Sequence, residues 1–225
     1  MKRWIIGIVI VVVLVVVVGP FVYFHFIEGK APPKLSLKTT PVPTTIAGEK
    51  RTPLAGSWKI GSGSLVRYRV KEVLFGQSNT AVGSTNAVTG SATLSNTQVE
   101  TAKFTVDMST FHSDRGLRDS QFQGRIMNTS QFPTSTFTLT KPISLTPIPK
   151  DGVIANYQAS GTLQLHGNTN NVNFTLDARR TGDVIAVHGL EPITFSDYGI
   201  NNPSGGPASV GDTGELEFIL QLQPS

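Results

Sequence analysis

Four histidines, at positions 25, 112, 166 and 188, are the only imidazoles in the 225-residue chain, and no cysteine accompanies them. Without cysteine there is no disulfide framework, no thiolate nucleophile, and no Cys-ligated zinc or iron–sulfur centre. The densest polar stretch runs from Thr110 to Gln131 and carries His112, Asp114, Arg118 and Asp119. His112, Asp114 and Asp119 could in principle ligate a metal or exchange protons. Metal-binding histidines, however, come with convergent partner ligands and supporting second contacts, and no H-E-x-x-H or comparable spacing is present. Ser64 and Ser109 have no His–Asp arrangement beside them, and no G-x-S-x-G, Walker loop or G-x-G-x-x-G occurs. These residues therefore predict no catalytic group, no metal and no cofactor.

Charge narrows the partners. Residues 1–56 carry seven basic and two acidic side chains, while residues 57–225 carry 12 basic and 13 acidic. The sequence pI near 9.4 is thus a property of the leader. A nucleic-acid binder needs a basic face that displaces counterions from phosphates, and the body of this chain does not provide one.

The leader is of a different kind. From Ile5 to Val18 it holds thirteen Ile, Leu or Val residues and one Gly, and the apolar stretch continues to Ile27. At roughly −0.3 to −0.6 kcal/mol per residue such a run favours a bilayer by about 4–8 kcal/mol. As a helix, Trp4 to Ile27 would be roughly 36 Å long, enough to cross a core of about 30 Å. Lys2 and Arg3 mark the cytoplasmic side, which places the rest outside. A cleaved signal peptide would end in a small-x-small site, but Phe21-Val22-Tyr23-Phe24 follow here. Residues 1–27 are therefore expected to be a cytoplasmic tip and a retained single-pass anchor in the cell membrane. Residues 28–56, with Pro32, Pro33, Pro41, Pro43 and Pro53 and no apolar period, are expected to be an extracytoplasmic linker behaving as coil.

Residues 57–225 form the folded domain, and period two dominates it. Val66, Tyr68 and Val70 alternate with Arg67, Arg69 and Lys71; Ala102, Phe104, Val106 and Met108 with Lys103, Thr105 and Asp107; Val172, Phe174, Leu176 and Ala178 with Asn173, Thr175 and Asp177. Leu216, Phe218, Leu220 and Leu222 repeat the pattern, and Phe137–Leu145 and Tyr157–Leu165 follow it more loosely. Alternation means one wet and one dry face, as in antiparallel sheets. About eight strands are expected, with no long helix between them. They either close into a barrel or pack as a sandwich, and periodicity does not separate the two. The Asn-, Ser- and Thr-rich stretch from Phe75 to Gly90 reads as a loop, which an interaction module with a filled core would turn towards a partner. Between Thr110 and Gln131 a short helical turn is expected, with Asp114 and Arg118 four apart, a weak capping box of Ser120 and Gln123, and Phe111, Leu117 and Phe122 on its apolar side.

The order of short motifs resembles the YceI-like family. Trp58-Lys59-Ile60 and Ser64-Leu65-Val66-Arg67-Tyr68 are similar to its opening. Val106-Asp107-Met108-Ser109-Thr110, Leu117-Arg118-Asp119, Phe132-Pro133 and Thr136-Phe137 follow in order. Gly161 to Thr169 and Phe195-Ser196-Asp197-Tyr198-Gly199-Ile200 complete the series. The chain departs from the family's pattern at Ser120-Gln121, where a His is usual, and at Asn170, where a basic residue is usual.

The resemblance implies a lipocalin-like antiparallel barrel outside the cytoplasm that holds a polyisoprenoid or other long-chain lipid in its lumen and is not an enzyme. On that reading Tyr68, Val70, Phe104, Val106, Met108, Phe111, Phe122, Phe137, Leu163, Leu165 and Phe174 line the lumen. His112, Arg118, Asp119 and His166 are candidate polar contacts for a headgroup or for the lid. Arg118 with Asp119 would be an ion pair pinning the lid, and His166, before Gly167, a hydrogen bond within a turn. The partners implied are the membrane, through the leader, and the lipid. Homodimerisation is left open.

Overall fold

The structure, a computed structural model, describes Trp4, Ile8, Val12 and residues 31–38, 52–206 and 208–225. The anchor expected over residues 1–27 therefore lies outside the described residues, apart from Trp4, Ile8 and Val12, which are helical and exposed. Among the described residues no helix is long and apolar enough to cross a membrane.

The alternating segments form strands as expected. They are β1 (Gly56–Ile60), β2 (Leu65–Leu74), β3 (Gln77–Thr85), β4 (Val88–Leu94), β5 (Gln98–Asp107), β6 (His112–Ser113), β7 (Thr134–Leu139), β8 (Ile143–Ser144), β9 (Ile154–Leu165), β10 (Asn168–Thr181), β11 (Val184–Thr194), β12 (Ala208–Val210) and β13 (Thr213–Pro224). Pairing runs β1-β4-β5-β7-β9-β10-β11-β13, and β1 also pairs with β13, so the sheet closes on itself. Of the two architectures that alternation allows, the chain adopts the barrel. Strand β2 continues β1 along the edge of β13, with Arg69 opposite Glu215, while β3 continues the same line of the sheet as β4. The thirteen segments thus make eight antiparallel strand positions. In such a ring the inward phase has no solvent to face, and this is where the apolar residues lie.

One expectation is corrected. The polar stretch from Phe75 to Gly90 is not a loop: β3 and the start of β4 lie within it, with β3 paired to β2 from Val66–Thr85 to Leu74–Gln77. Gly83 is there because something large crosses it. A Cβ on Gly83 would sit 2.3 Å from the Tyr68 ring, and that ring stacks on Phe122 at 4.7 Å. Held between the backbone of β3 and Phe122, Tyr68 has nowhere to swing. Gly83→Ala is therefore expected to cost about 1–3 kcal/mol, read as a lower urea midpoint at unchanged slope; an unaltered midpoint would mean the ring is not confined.

The cap differs in detail from its expected form. Helix α1 (Gly116–Gln121) runs into a π-helical turn over Phe122–Ile126. No side chain caps α1. Instead of forming a capping box, Ser120 Oγ donates to the Gly116 carbonyl at 3.0 Å and Gln123 Nε2 to the Ser109 carbonyl at 3.0 Å. Phe111 and Phe122 turn inward and are buried, whereas Leu117 is 73% exposed. Leu117 borders the cavity at its rim instead of packing into the core.

Residues 31–38 are not free coil either. They run down the outside of the barrel as a strap. Arg69 and Arg67 donate to the carbonyls of Pro32 (2.8 Å) and Pro33 (3.4 Å), Lys34 pairs with Glu215 at 2.8 Å, and the Leu35 N–H donates to Glu217 at 2.9 Å. Leu37, 1% exposed, packs on Ala186 and Ile219, and Arg179 donates to its carbonyl at 3.0 Å. A leucine in a proline-rich stretch carries no periodic signal, so its burial could not be read from spacing. Burying it fully is worth about 1.5–3 kcal/mol.

Candidate functional site: the barrel lumen

The inward phase encloses a cavity of about 1480 Å³. All eleven residues expected to line a lumen do line it: Tyr68, Val70, Phe104, Val106, Met108, Phe111, Phe122, Phe137, Leu163, Leu165 and Phe174. Two aromatic groups shape it. Near the cap, Tyr68 stacks on Phe122, and Phe111 lies 5.7 Å from Tyr68 and 5.2 Å from Phe122. Deeper in, Phe174 stands edge-on to Phe137 at 5.6 Å and to Phe218 at 6.0 Å. Inward glycines make room for these rings: a Cβ on Gly161 would meet Phe137, and one on Gly189 would meet Phe218, each at 2.4 Å.

The two ends differ. At the cap end the lining includes Leu117 and Phe75, both exposed. At the opposite end it includes Leu54, Ile148 and Val153. There Trp58, fully buried, donates its indole N–H to the Leu54 carbonyl at 2.9 Å, with the Arg180 guanidinium 5.3 Å from its ring centre. Ile148 and Val153, which line the cavity beside this packing, are 53% and 49% exposed.

The polar candidates divide. Arg118 lines the lumen, paired with Asp114 and, at 3.4 Å, with Glu72. These two carboxylates tie it down. Asp119 instead accepts from the N–H (2.7 Å) and hydroxyl (2.6 Å) of Ser113, fastening α1 to β6. His112 is exposed, off the cavity, with Nδ1 3.4 Å from the Thr110 carbonyl. His166 sits at φ 51°, its Nδ1 3.2 Å from the Tyr198 carbonyl and its ring 4.6 Å from Phe132. The hydrogen bond expected of it in a turn is present, and it lies away from the lumen. Among the described residues no three His, Cys, Asp or Glu side chains are grouped to hold a metal ion.

Sequence reasoning passed over several polar groups that line the lumen: Glu72, Arg115, Tyr157 and Glu191. Glu72 follows Tyr68 and Val70 in the same phase, so alternation alone could have found it. Glu191 shares the phase of Val187 and Ile193. Burial pushes the carboxyl of Glu191 above the usual carboxylate range, and burial likewise raises the phenols of Tyr68 and Tyr157, so both tyrosines stay neutral. Because folding raises the Glu191 pKa, the folded chain releases this proton later than the unfolded one. The cost to stability is absent below the ordinary carboxylate pKa, grows as pH rises, and is complete above the shifted value. Glu191 is half-buried, so the effect is small. Glu191→Gln is expected to melt with the parent below about pH 4 and up to about 2 °C higher at pH 7–8; equal melting at all pH values would remove the assigned cause.

A closed antiparallel barrel with an apolar lumen and a helical cap at one end is a container of lipocalin-like form. The YceI-like domain matches residues 58–222, and the chain belongs to that family. No curated protein matches it. Among solved structures it is similar to a polyisoprenoid binding domain from Saccharophagus degradans implicated in plant cell wall breakdown, at 16% identity and TM-score 0.62, covering 76% of this chain and 99% of that one. It is also similar to BcnA of Burkholderia cenocepacia (16%, TM-score 0.55, 72% and 98% covered) and to a YceI protein of Campylobacter jejuni (12%, TM-score 0.53, 87% and 99% covered).

Proposed function

We propose that this protein binds one long-chain amphiphile, a polyisoprenoid or a fatty-chain lipid, in the barrel lumen, and that it does so outside the cytoplasm while held to the membrane by its apolar leader. The observation that carries this reading is the 1480 Å³ cavity bounded by the apolar phase of the ring. An interaction module with a filled core would have closed that space with its own side chains. The name of the Saccharophagus domain supports the same ligand class.

Energetics suit a carrier or store better than a catalyst. Moving a chain of about 20 methylenes out of water is worth roughly 16 kcal/mol, but a membrane lipid begins in surroundings as apolar as the lumen. Net transfer is then close to zero, and loading is reversible. The test is native mass spectrometry of the full chain, released from mild detergent after expression in lipid-replete cells, with organic extraction of the same sample. A stoichiometric isoprenoid or fatty chain is expected. The bare polypeptide alone, from several preparations, would overturn the reading.

A further inference from the structure

We infer that Glu191, on the inner wall of β11, hydrogen-bonds the polar group of the cargo, and that this group is an uncharged hydroxyl or carbonyl and not a phosphate. The inference rests on the lumen reading above and adds the chemistry that the cargo must carry.

Glu191 belongs to the interior of the barrel and not to its rim. The inward phase of β11 runs Ile185, Val187, Gly189, Glu191 and Ile193, and all but the glycine line the cavity. Register sets Glu191 opposite Leu216 of β13, and Leu216 opposite Tyr68 of β2. The carboxyl thus shares a row of the ring with an aliphatic and an aromatic wall residue. The charged cluster under the cap is further along: Glu72 lies two inward positions beyond Tyr68, roughly 13 Å down β2.

The fold leaves this carboxyl open. Five acidic residues line the cavity, and the other four are engaged. Glu72 accepts from Asn79 at 2.9 Å and meets Arg118 at 3.4 Å, and Asp114 pairs with the same arginine. Asp151 accepts the Gly182 N–H at 3.1 Å, and Glu215 pairs with Lys34 at 2.8 Å. Among the described residues none hydrogen-bonds or pairs with Glu191, and burial alone raises its pKa. The Tyr198 ring, close enough to feel its charge, does not line the cavity. An apolar chain filling the lumen strips this carboxyl of water, and a buried polar group without a partner is costly. The cost is removed if the chain brings its own hydrogen-bonding group to this height.

The wall also selects the kind of group. Burial favours the protonated carboxyl, which offers one O–H and one accepting oxygen. A hydroxyl or a carbonyl matches that pair. Tyr157 adds a second hydroxyl to the lining, which no described residue engages and which burial keeps neutral. Its row, through Leu176 to Gly189, is one inward position from Glu191. A phosphate here would set a second anion beside Glu191. Two guanidiniums of the lining are committed elsewhere, Arg118 to its two carboxylates and Arg180 to the carbonyls of Thr52 and Gly182.

Full chains of the parent, Glu191→Leu and Glu191→Gln would be reconstituted in phosphatidylcholine vesicles holding equal traces of geranylgeraniol, geranylgeranyl phosphate and the hydrocarbon phytane. After repurification, each probe recovered with the protein would be counted by mass spectrometry and divided by its content in the vesicles. Ratios between probes within one sample do not depend on how much of a chain has folded. The parent is expected to favour the alcohol over the phosphate and over the hydrocarbon, each by about tenfold. Glu191→Leu should take alcohol and hydrocarbon to within about threefold of one another. Glu191→Gln still donates and accepts, and should keep the preference for the alcohol over the hydrocarbon. Phosphate bound by the parent as well as the alcohol, or a preference for the alcohol undiminished in Glu191→Leu, would overturn the inference and leave the lumen reading standing. No probe recovered from any of the chains would overturn the lumen reading itself, and the inference with it.

Discussion

Glu217→Ala is expected to lower the thermal midpoint by about 10 °C. The carboxylate is 0% exposed although it stands on the outer phase of β13. It is covered by the strap, whose Leu35 N–H it accepts at 2.9 Å, and it lies 3.4 Å from the Arg69 guanidinium. Breaking one side of a buried ion pair costs about 3–5 kcal/mol, because the partner is left without compensation. For a domain of this size each kcal/mol shifts the midpoint by about 2–4 °C. Arg69 keeps its bond to the Pro32 carbonyl, which holds the expected loss to the lower part of that range. Glu217→Gln, which keeps the shape and one accepting oxygen, should lose roughly half as much. Circular dichroism melts of the three full chains in one detergent decide it. An unchanged midpoint for the alanine variant would show that strap and carboxylate do not support one another.

The larger functional effect is expected at Phe174. Its ring lies between Phe137 and Phe218 on the inward phase. In the unliganded barrel, water can reach an aspartate placed there, so the fold should survive Phe174→Asp with a modest loss of stability. With an apolar chain in place the same carboxylate would be stripped of water without a partner. That costs several kcal/mol even after partial compensation, so retention of lipid should fall by about a hundredfold or more. Phe174→Leu keeps the surface apolar and should stay within a few-fold of the parent. The measurement is lipid recovered per mole of protein after identical purification. Equal recovery from the aspartate variant would place the cargo elsewhere.

What could be read beforehand follows from how each part is determined. Strands whose two faces meet different media, such as Val66–Val70 or Val172–Ala178, write their orientation into alternation, so their inward phase was legible from period. Closure into a ring was implied by the resemblance alone and not by alternation, because the pairing of β1 with β13 joins residues more than 160 positions apart. Strand β3 was hidden because it is mostly polar and, at Gly83, small beneath Tyr68, so no apolar alternation marks it. Of the partners of Arg118, Asp114 was legible from its i,i+4 spacing, whereas Glu72 lies 46 residues away and leaves no such trace. Leu37 shows the limit most clearly, since one buried side chain in an irregular segment leaves no pattern.

The ring also has a bearing on how the protein comes into being. Strand β13 is the last to be synthesised, and it supplies pairing to β1, β2 and β11 at once. Until it arrives, nothing closes the ring, and contacts of such long sequence separation are slow to establish. The hollow does not grow gradually as the polypeptide emerges. It is created in a single late event, so a nascent chain has no compartment to fill until its final ribbon snaps the hoop shut.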